Sequence, residues 1–546
     1  MRESAERAGA GGGGRRSVAR VAGVLLVWTA LVVPDAVADL RPAALLRLPL
    51  EGILLAGLLA VLPRRAGRLV AVLSGVLLTI LTIAKALNAA VGAGLGRPFD
   101  PVSDVGQLSA GAGVVADALG VQPVAVVVVA VVLVAVCFAV LVGAVLAIAG
   151  AVRARPRRAL RVVAGLTAVW AALALVGAAL VPGEPLASTS EAAFTASEVA
   201  GTVASAAAVR SFGAALQAPD PFTARSSALR SGPLQGKDVL VVFVESYGQV
   251  AVRGTSFSPG VDAALTADTR TLRAAGFSAR TGTLISPTFG GISWLAHSTL
   301  QSGVWVPNQT SYDRLLATKR LTLTRAFHAA GWRTVSDVPS DKHPWAAGQR
   351  FYGYDRMYDA TNVGYAGPSF SYATMPDQYT LAHFAQAELM PHHAPVMAEI
   401  DLVSSHTPWT PLPHLVDPAT VGDGSVYDGM PGEGIPPAIA WQNPATVRAL
   451  YGESIQYSID ALTDFVVGAH DPNLVVVMLG DHQPAEIVSG PHADRDVPVS
   501  LITADPAVLQ ATTGWGWAPG LRPADHGAAW RMDRFRDRFL AAFARG

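Results

Sequence analysis

The hydrophobic pattern of the chain changes character near residue 182. Before it, apolar residues run almost without interruption. Five stretches stand out, at Val18–Ala38, Ala43–Leu62, Leu69–Ala90, Val124–Ala149 and Leu160–Val181. Each approaches the ~20 residues a helix needs to cross a bilayer, so about five transmembrane spans are expected. From Lys237 onward the apolar runs shorten and are bounded by turn-forming residues. Strand-like runs are Val239–Glu245, Ala279–Ser286, Thr334–Val338, Val396–Leu402, Leu474–Leu479 and Val497–Thr503. Helix-period segments alternate with them, at Val261–Ala275, Ile292–Gln301, Leu321–Ala330, Gln378–Leu389, Thr446–Ala469 and Ala528–Ala542. Strand–helix alternation of this kind predicts a mostly parallel sheet with helices on both faces. The expected fold is therefore an α-helical membrane bundle followed by an α/β domain.

The segments divide into a tail at 1–17, a membrane region at 18–181, a connector at 182–236 and an α/β domain at 237–546. The connector is rich in Ala, Ser and Thr, with scattered Pro and Gly, and reads as partly helical along a membrane surface. Charges between the spans alternate. Arg15, Arg16 and Arg20 precede the first, Arg64, Arg65 and Arg68 separate the second from the third, and Arg153, Arg155, Arg157, Arg158 and Arg161 separate the fourth from the fifth. The other loops carry Asp35 and Asp39, then Asp100 and Asp104. By the positive-inside rule the α/β domain lies on the extracytoplasmic side of the cell membrane. Cleavage of the first stretch as a signal peptide after Ala36-Val37-Ala38 would leave that topology unchanged. Lys85 and Asn88, near the outer end of the third span, are expected to snorkel to the interface. The loop Gly96–Pro101 reads as a lipid head-group contact or a structural turn.

Composition agrees with a membrane protein: of 546 residues 51% are hydrophobic and only 15% charged. A formal net charge of zero gives no sign of a nucleic-acid partner. The single cysteine, Cys137, falls within the fourth span, so the chain has no internal disulfide. All 12 histidines lie at or beyond His297, which places the chemistry in the α/β domain.

Chemistry-bearing residues follow two of the strands. Glu245-Ser246 ends the run from Val239, and Gly480-Asp481-His482-Gln483 follows the run from Leu474. Open α/β sheets build their sites at such carboxyl ends. Two acidic groups and an imidazole there could close around one metal ion. Between them lies Thr288-Phe289-Gly290-Gly291-Ile292-Ser293-Trp294-Leu295-Ala296-His297. The Gly pair permits close backbone approach to a ligand. Ser293 then opens a helix, either as a simple cap or as a hydroxyl beside an anion-binding helix terminus. His297 shares its face one turn on. His343, after Asp341-Lys342, falls in a loop that could border the site. His392, His393, His414, His470, His492 and His526 read as ordinary surface residues.

These segments resemble the alkaline phosphatase superfamily, in its sulfatase-like branch of membrane-anchored phosphoglycerol and phosphoethanolamine transferases. The layout of five spans and a sulfatase-like domain is similar to that of lipoteichoic acid synthases. Val242–Gly248 resembles the family's first, metal-binding strand end and Leu479–His482 its late one. Ser405-His406-Thr407-Pro408-Trp409 resembles the segment whose histidine contacts substrate. Tyr457-Ser458-Ile459-Asp460 and Phe465 resemble the helix before the late strand. Ser293 to Gly303 matches the spacing of the sulfatase nucleophile motif, with Leu300 in place. The motif's proline and arginine are replaced by Leu295 and His297, which argues against a formylglycine sulfatase. The resemblance implies one divalent cation, Zn or Mn, held by Glu245, Ser293, Asp481 and His482. It implies Ser293 as nucleophile with Thr288 as the rival, His406 as the residue serving the phosphoryl group, and His297 assisting. The substrate would be a lipid head group or an envelope glycan. Hydrolysis by the same fold, or an inactive envelope scaffold, are the alternatives.

Overall fold

The computed structural model describes residues 20–544 apart from 96, 109–111, 114–115, 117–120, 182–183, 224–225, 391–392 and 491–492. The expected tail, with Arg15 and Arg16, lies outside the described residues, as do His392 and His492. Contacts divide the chain into two compact units, Met1–Ala207 and Ala208–Gly546.

The first unit is helical: α1 (Arg20–Val32), α2 (Leu50–Val61), α3 (Arg64–Leu95), α4 (Pro123–Ala154), α5 (Pro156–Leu175) and α6 (Ser190–Gln217), the last running across the division. Among the described residues four of these are long and apolar enough to cross a membrane, namely α3, α4, α5 and α6. The first two expected spans give shorter helices. Pro34 follows the end of α1, and Pro42 and Pro49 confine the second stretch to a turn and the 12 residues of α2, because proline removes a backbone donor and restricts its predecessor. The connector instead supplies the 28-residue α6, consistent with its alanine content. Val27, Leu31, Leu59, Leu78, Leu141 and Val145 form the bundle core. Gly75 of α3 brings that helix so close to the Val142 backbone of α4 that a Cβ would overlap it.

Lys85 does not snorkel. It is buried, donates to the Ala30 carbonyl and pairs with Glu191. Asn88 donates to Asp35 and Glu198 and accepts from the Phe99 amide. Arg97 grips Asp104 through both terminal nitrogens, which ties the two ends of residues 97–104 together.

The second unit centres on a nine-stranded sheet among the described residues. Its strands are β1 (Asp238–Val244), β2 (Ser278–Ile285), β3 (Arg333–Val338), β4 (Arg356–Asp359), β5 (Val396–Leu402), β6 (Leu474–Gly480), β7 (Asp496–Thr503), β8 (Ala518–Pro519) and β9 (Ala529–Arg531). The order is β8-β2-β7-β6-β1-β5-β3-β4, with β9 beside β2. Strands β6, β1, β5, β3 and β4 are mutually parallel, and β7 runs antiparallel between β6 and β2. The six expected strands all form. The expected helix at 528–542 opens instead as β9, continues through a 3-10 turn at Met532–Arg534 and becomes α-helical at Phe535–Phe543, while β4 and β8 were too short to show a pattern.

The central strands are apolar on both faces, as a covered parallel sheet requires. Leu240, Val242, Val244, Ile400 and Val476 meet helices α7 (Ser258–Ala274), α9 (Asp377–Glu388) and α10 (Pro444–Gly468) on one side. Val239, Val241, Phe243, Val475 and Val477 lie in the core of the other side. Helix α8 (Ser293–Ser302) contributes Ala296 and Leu300 to that core, and α11 (Phe535–Phe543) contributes Phe539 and Phe543.

Candidate active site

Strands β1 and β6 are parallel neighbours with Phe243 opposite Leu479 and Val244 opposite Gly480. Glu245 and Asp481 therefore leave the sheet side by side. Gly480 is needed there: a Cβ would overlap the Tyr247 carbonyl that crosses it. Asp481 ties the two ends together, its Oδ1 accepting from the Ser246 and His482 amides at 2.8 Å each.

Ser293 is the first residue of α8, not its cap. Its Oγ lies 3.0 Å from Glu245 Oε2 and 3.2 Å from His482 Nε2. What aims it is a strained turn. Gly290 and Gly291 adopt φ of 71° and 154°, and Ile292 follows at 63°. A positive φ is costly for a β-branched residue and persists only where the surroundings impose it. Ser246, at φ 57°, repeats the strain on the facing loop. Thr288 is buried and donates its hydroxyl to the Gly291 carbonyl at 2.6 Å. Its oxygen braces the turn that presents Ser293.

The residues fit a divalent cation. His482 Nδ1 donates to the Gln483 carbonyl at 2.8 Å, which leaves Nε2 as the lone-pair nitrogen. That nitrogen sits 3.4 Å from Glu245 Oε1 and 3.3 Å from Asp481 Oδ2. Asp481 is fully buried, and its Oδ2 has no hydrogen-bond partner among the described residues. A buried, unsatisfied carboxylate oxygen is expensive unless a cation meets it. Burial, with the Glu245 charge beside it, pushes the Asp481 carboxyl up. Burial also opposes ionisation of Glu245, but the His482 and His406 imidazoles outweigh it and hold that group at about 2. The ligand set, three oxygens and one imidazole, suits Zn or Mn.

The cluster opens into a cavity of about 540 Å³ lined also by His297, His406, Asp341, Lys342, His343 and Tyr372. His406 is carried by the turn after β5. Its Nδ1 donates to the Thr407 carbonyl at 2.6 Å and its ring stacks on Tyr372 at 3.5 Å, leaving Nε2 as the nitrogen that can exchange a proton. Ser405 donates to the Glu245 carbonyl at 2.7 Å, so this turn is pinned to the end of β1.

His297 lies one turn beyond Ser293 on α8, stacked on Phe243 at 3.7 Å. Its Nδ1 is 3.2 Å from Glu399 Oε1 and 3.6 Å from Asp401 Oδ1. Burial alone would lower its pKa; the Asp401 and Glu399 carboxylates raise it to about 9. Sequence reasoning missed both acids. The signal was present, since the run Val-Met-Ala-Glu-Ile-Asp-Leu puts two carboxylates on one face of a strand otherwise read as core. Of the remaining histidines, His393 pairs with Asp238 at the opposite, amino-terminal end of β1, and His414 pairs with Glu433 on the surface.

No family model matches the chain, and no curated protein matches it. Among solved structures the chain is similar to the lipooligosaccharide phosphoethanolamine transferase A of Neisseria meningitidis, an integral membrane protein. The two are 14% identical with a TM-score of 0.41, and the match covers 96% of this chain and 95% of that one. It is also similar to the lipoteichoic acid synthase LtaP of Listeria monocytogenes, at 14% identity and TM-score 0.39 over 58% and 74% of the two chains. A third is the phosphoglycerol transferase GacH of Streptococcus pyogenes, solved with sn-glycerol-1-phosphate, at 12% and 0.36 over 62% and 92%. None of the three exceeds a TM-score of 0.41, so the functional reading rests on the site itself.

Proposed function

We propose that the chain is a metal-dependent transferase. It moves a phosphorylated head group from a lipid donor to a hydroxyl-bearing envelope acceptor, with its α/β unit on the extracytoplasmic side of the cell membrane. The observation that carries this reading is the Ser293 hydroxyl, held between Glu245 and His482 at the mouth of a cavity. The sidedness rests on the arginines around the α2–α3 and α4–α5 connections, taken as cytoplasmic, with α6 lying along the membrane surface rather than crossing it.

Glu245, Ser293, Asp481 and His482 would hold one Zn or Mn ion, which lowers the pKa of a bound hydroxyl and offsets charge on the phosphoryl oxygens. Ser293 Oγ attacks phosphorus as its proton passes to Glu245 Oε2, to which it already donates. Its bond to phosphorus forms as the donor's P–O bond breaks, giving a phosphoseryl chain. His406 Nε2 hands a proton to the leaving lipid oxygen. Lys342, on the cavity wall, supplies positive charge to the transferred group. The acceptor alcohol then displaces Ser293, giving its proton to His406, while Ser293 Oγ recovers its own from Glu245. Trp294, Trp345, Tyr312 and Tyr372 are among the aromatic residues lining the cavity, and offer apolar faces to the carbon skeleton of an alcohol acceptor.

The test is single-turnover labelling. The full-length chain in detergent, given Mn²⁺ and a phospholipid labelled in its head-group phosphorus, should carry the label on the peptide containing Ser293. Addition of a polyol should release it as the phosphorylated alcohol. Label on Thr288, or none on the chain while donor is consumed, overturns the assignment.

A further inference from the structure

His297, Glu399 and Asp401 form a second cluster on the wall of the same cavity, and nothing in the proposed reaction accounts for its composition. Two carboxylates converge on one imidazole nitrogen. The separations, 3.2 Å and 3.6 Å from His297 Nδ1, match the edges of a coordination shell. Ligands about 2.1 Å from a tetrahedral ion lie about 3.4 Å apart.

A single N–H can satisfy only one of the two acids, and the structure shows which one goes wanting. Glu399 Oε1 takes the nearer position. Asp401 Oδ1 is sealed from solvent and has no hydrogen-bond partner among the described residues. The side chains around it are themselves fixed. Phe243 clamps the His297 ring. Gln301 donates its amide to Glu399 Oε2, and its own Oε1 accepts from the Thr324 amide and hydroxyl at 3.1 Å each. Outer partners of this kind orient the ligands of metal sites.

Charge leads to the same place. A dication at the first cluster balances Glu245 and Asp481. Glu399 and Asp401 are then left with a single imidazole between them. We infer that His297, Glu399 and Asp401 bind a second divalent cation, of the Mn²⁺ or Zn²⁺ type. Three protein ligands leave it a position open to the cavity, where a phosphoryl oxygen of the substrate can enter.

The inference rests on the metal-dependent reading of the cavity, and metal stoichiometry separates the two. Equilibrium dialysis of the full-length chain in detergent against MnCl₂ should give two equivalents of Mn²⁺ per chain. Glu399→Gln and Asp401→Asn should each bind one, with circular dichroism unchanged. Asp481→Asn should also lose one equivalent, and Glu399→Gln combined with it should bind none. One equivalent in the parent chain, kept in both Glu399→Gln and Asp401→Asn, overturns the second site and leaves the first. No bound Mn²⁺ in the parent chain overturns the metal-dependent reading itself.

Discussion

The two histidine–carboxylate clusters of the cavity are made of the same chemistry but are built differently. In the first, Glu245, Asp481 and His482 sit on loops that leave the sheet, and Ser293 opens α8 directly after a strained glycine turn. The second, His297, Glu399 and Asp401, stands on the interior of β5 and the face of α8, where regular geometry sets every direction. Loops can deliver a nucleophile at a forced angle; a strand and a helix can only deliver side chains at their own spacing. The contrast suggests a division of labour, with reacting groups on the first cluster and fixed charge on the second.

The largest effect tests the first cluster. Asp481→Asn should lower transfer at least ~10³-fold and empty the first cation site, because it removes the anionic oxygen that no protein donor meets. Steady-state assay with metal analysis checks both, and full turnover with full metal content would remove Asp481 from the ligand set. Next comes the nucleophile. Ser293→Ala should abolish the phospho-enzyme seen by mass spectrometry. Ser293→Thr should retain part of the activity, and Thr288→Ala should cost only about 1 kcal/mol of stability through a lost buried hydrogen bond. His406→Gln should reduce transfer about 10²-fold and steepen the dependence of rate on leaving-group pKa, since an activated leaving group needs no proton.

The second cluster answers to a milder change. Gln301→Leu removes the amide that orients Glu399, and should weaken its cation about 10–100-fold while the first cation stays in place. Loss of both ions together would show that the clusters are one site.

A third acidic group sharpens the comparison by lacking a histidine. Asp268 is buried beside Asp460, away from the cavity, and burial with that neighbouring carboxyl raises it to about 7. The folded chain thus keeps a proton that the unfolded chain releases near the ordinary value. Its contribution to stability is present below that value and is lost as pH rises toward about 7. Asp268→Asn should therefore match the parent in acid and exceed it at pH 8 by about 1–2 kcal/mol, read by thermal denaturation across pH.

Legibility followed the same division as construction. The first cluster was visible because strand ends concentrate function: an apolar run followed by Glu245, or by Asp481-His482, signals a site without any knowledge of contacts. Ser293 was visible through its glycines. Glu399 and Asp401 were hidden by their position, since a run bounded like a core strand invites reading every residue in it as core. His297 carried no hint of its partners, which come from a strand a hundred residues later. In the helical unit, Lys85 looked like an interfacial lysine because its partner, Glu191, belongs to a segment read as a connector. The parallel core of the sheet was predictable from its runs. The short edge strands were not, because two to four residues cannot display a period.

The pairing of β1 with β6 has a consequence for the order of events in the molecule's life. Ser246 and Asp481 touch across 235 residues of chain. Contacts so distant in sequence form late, because the intervening chain must be organised before their closure is rewarded. During synthesis, Ser293 therefore emerges long before the Asp481-His482 pair that would arm it. The half-made protein carries a hydroxyl no more reactive than any other serine, and a chain truncated before β6 stays inert.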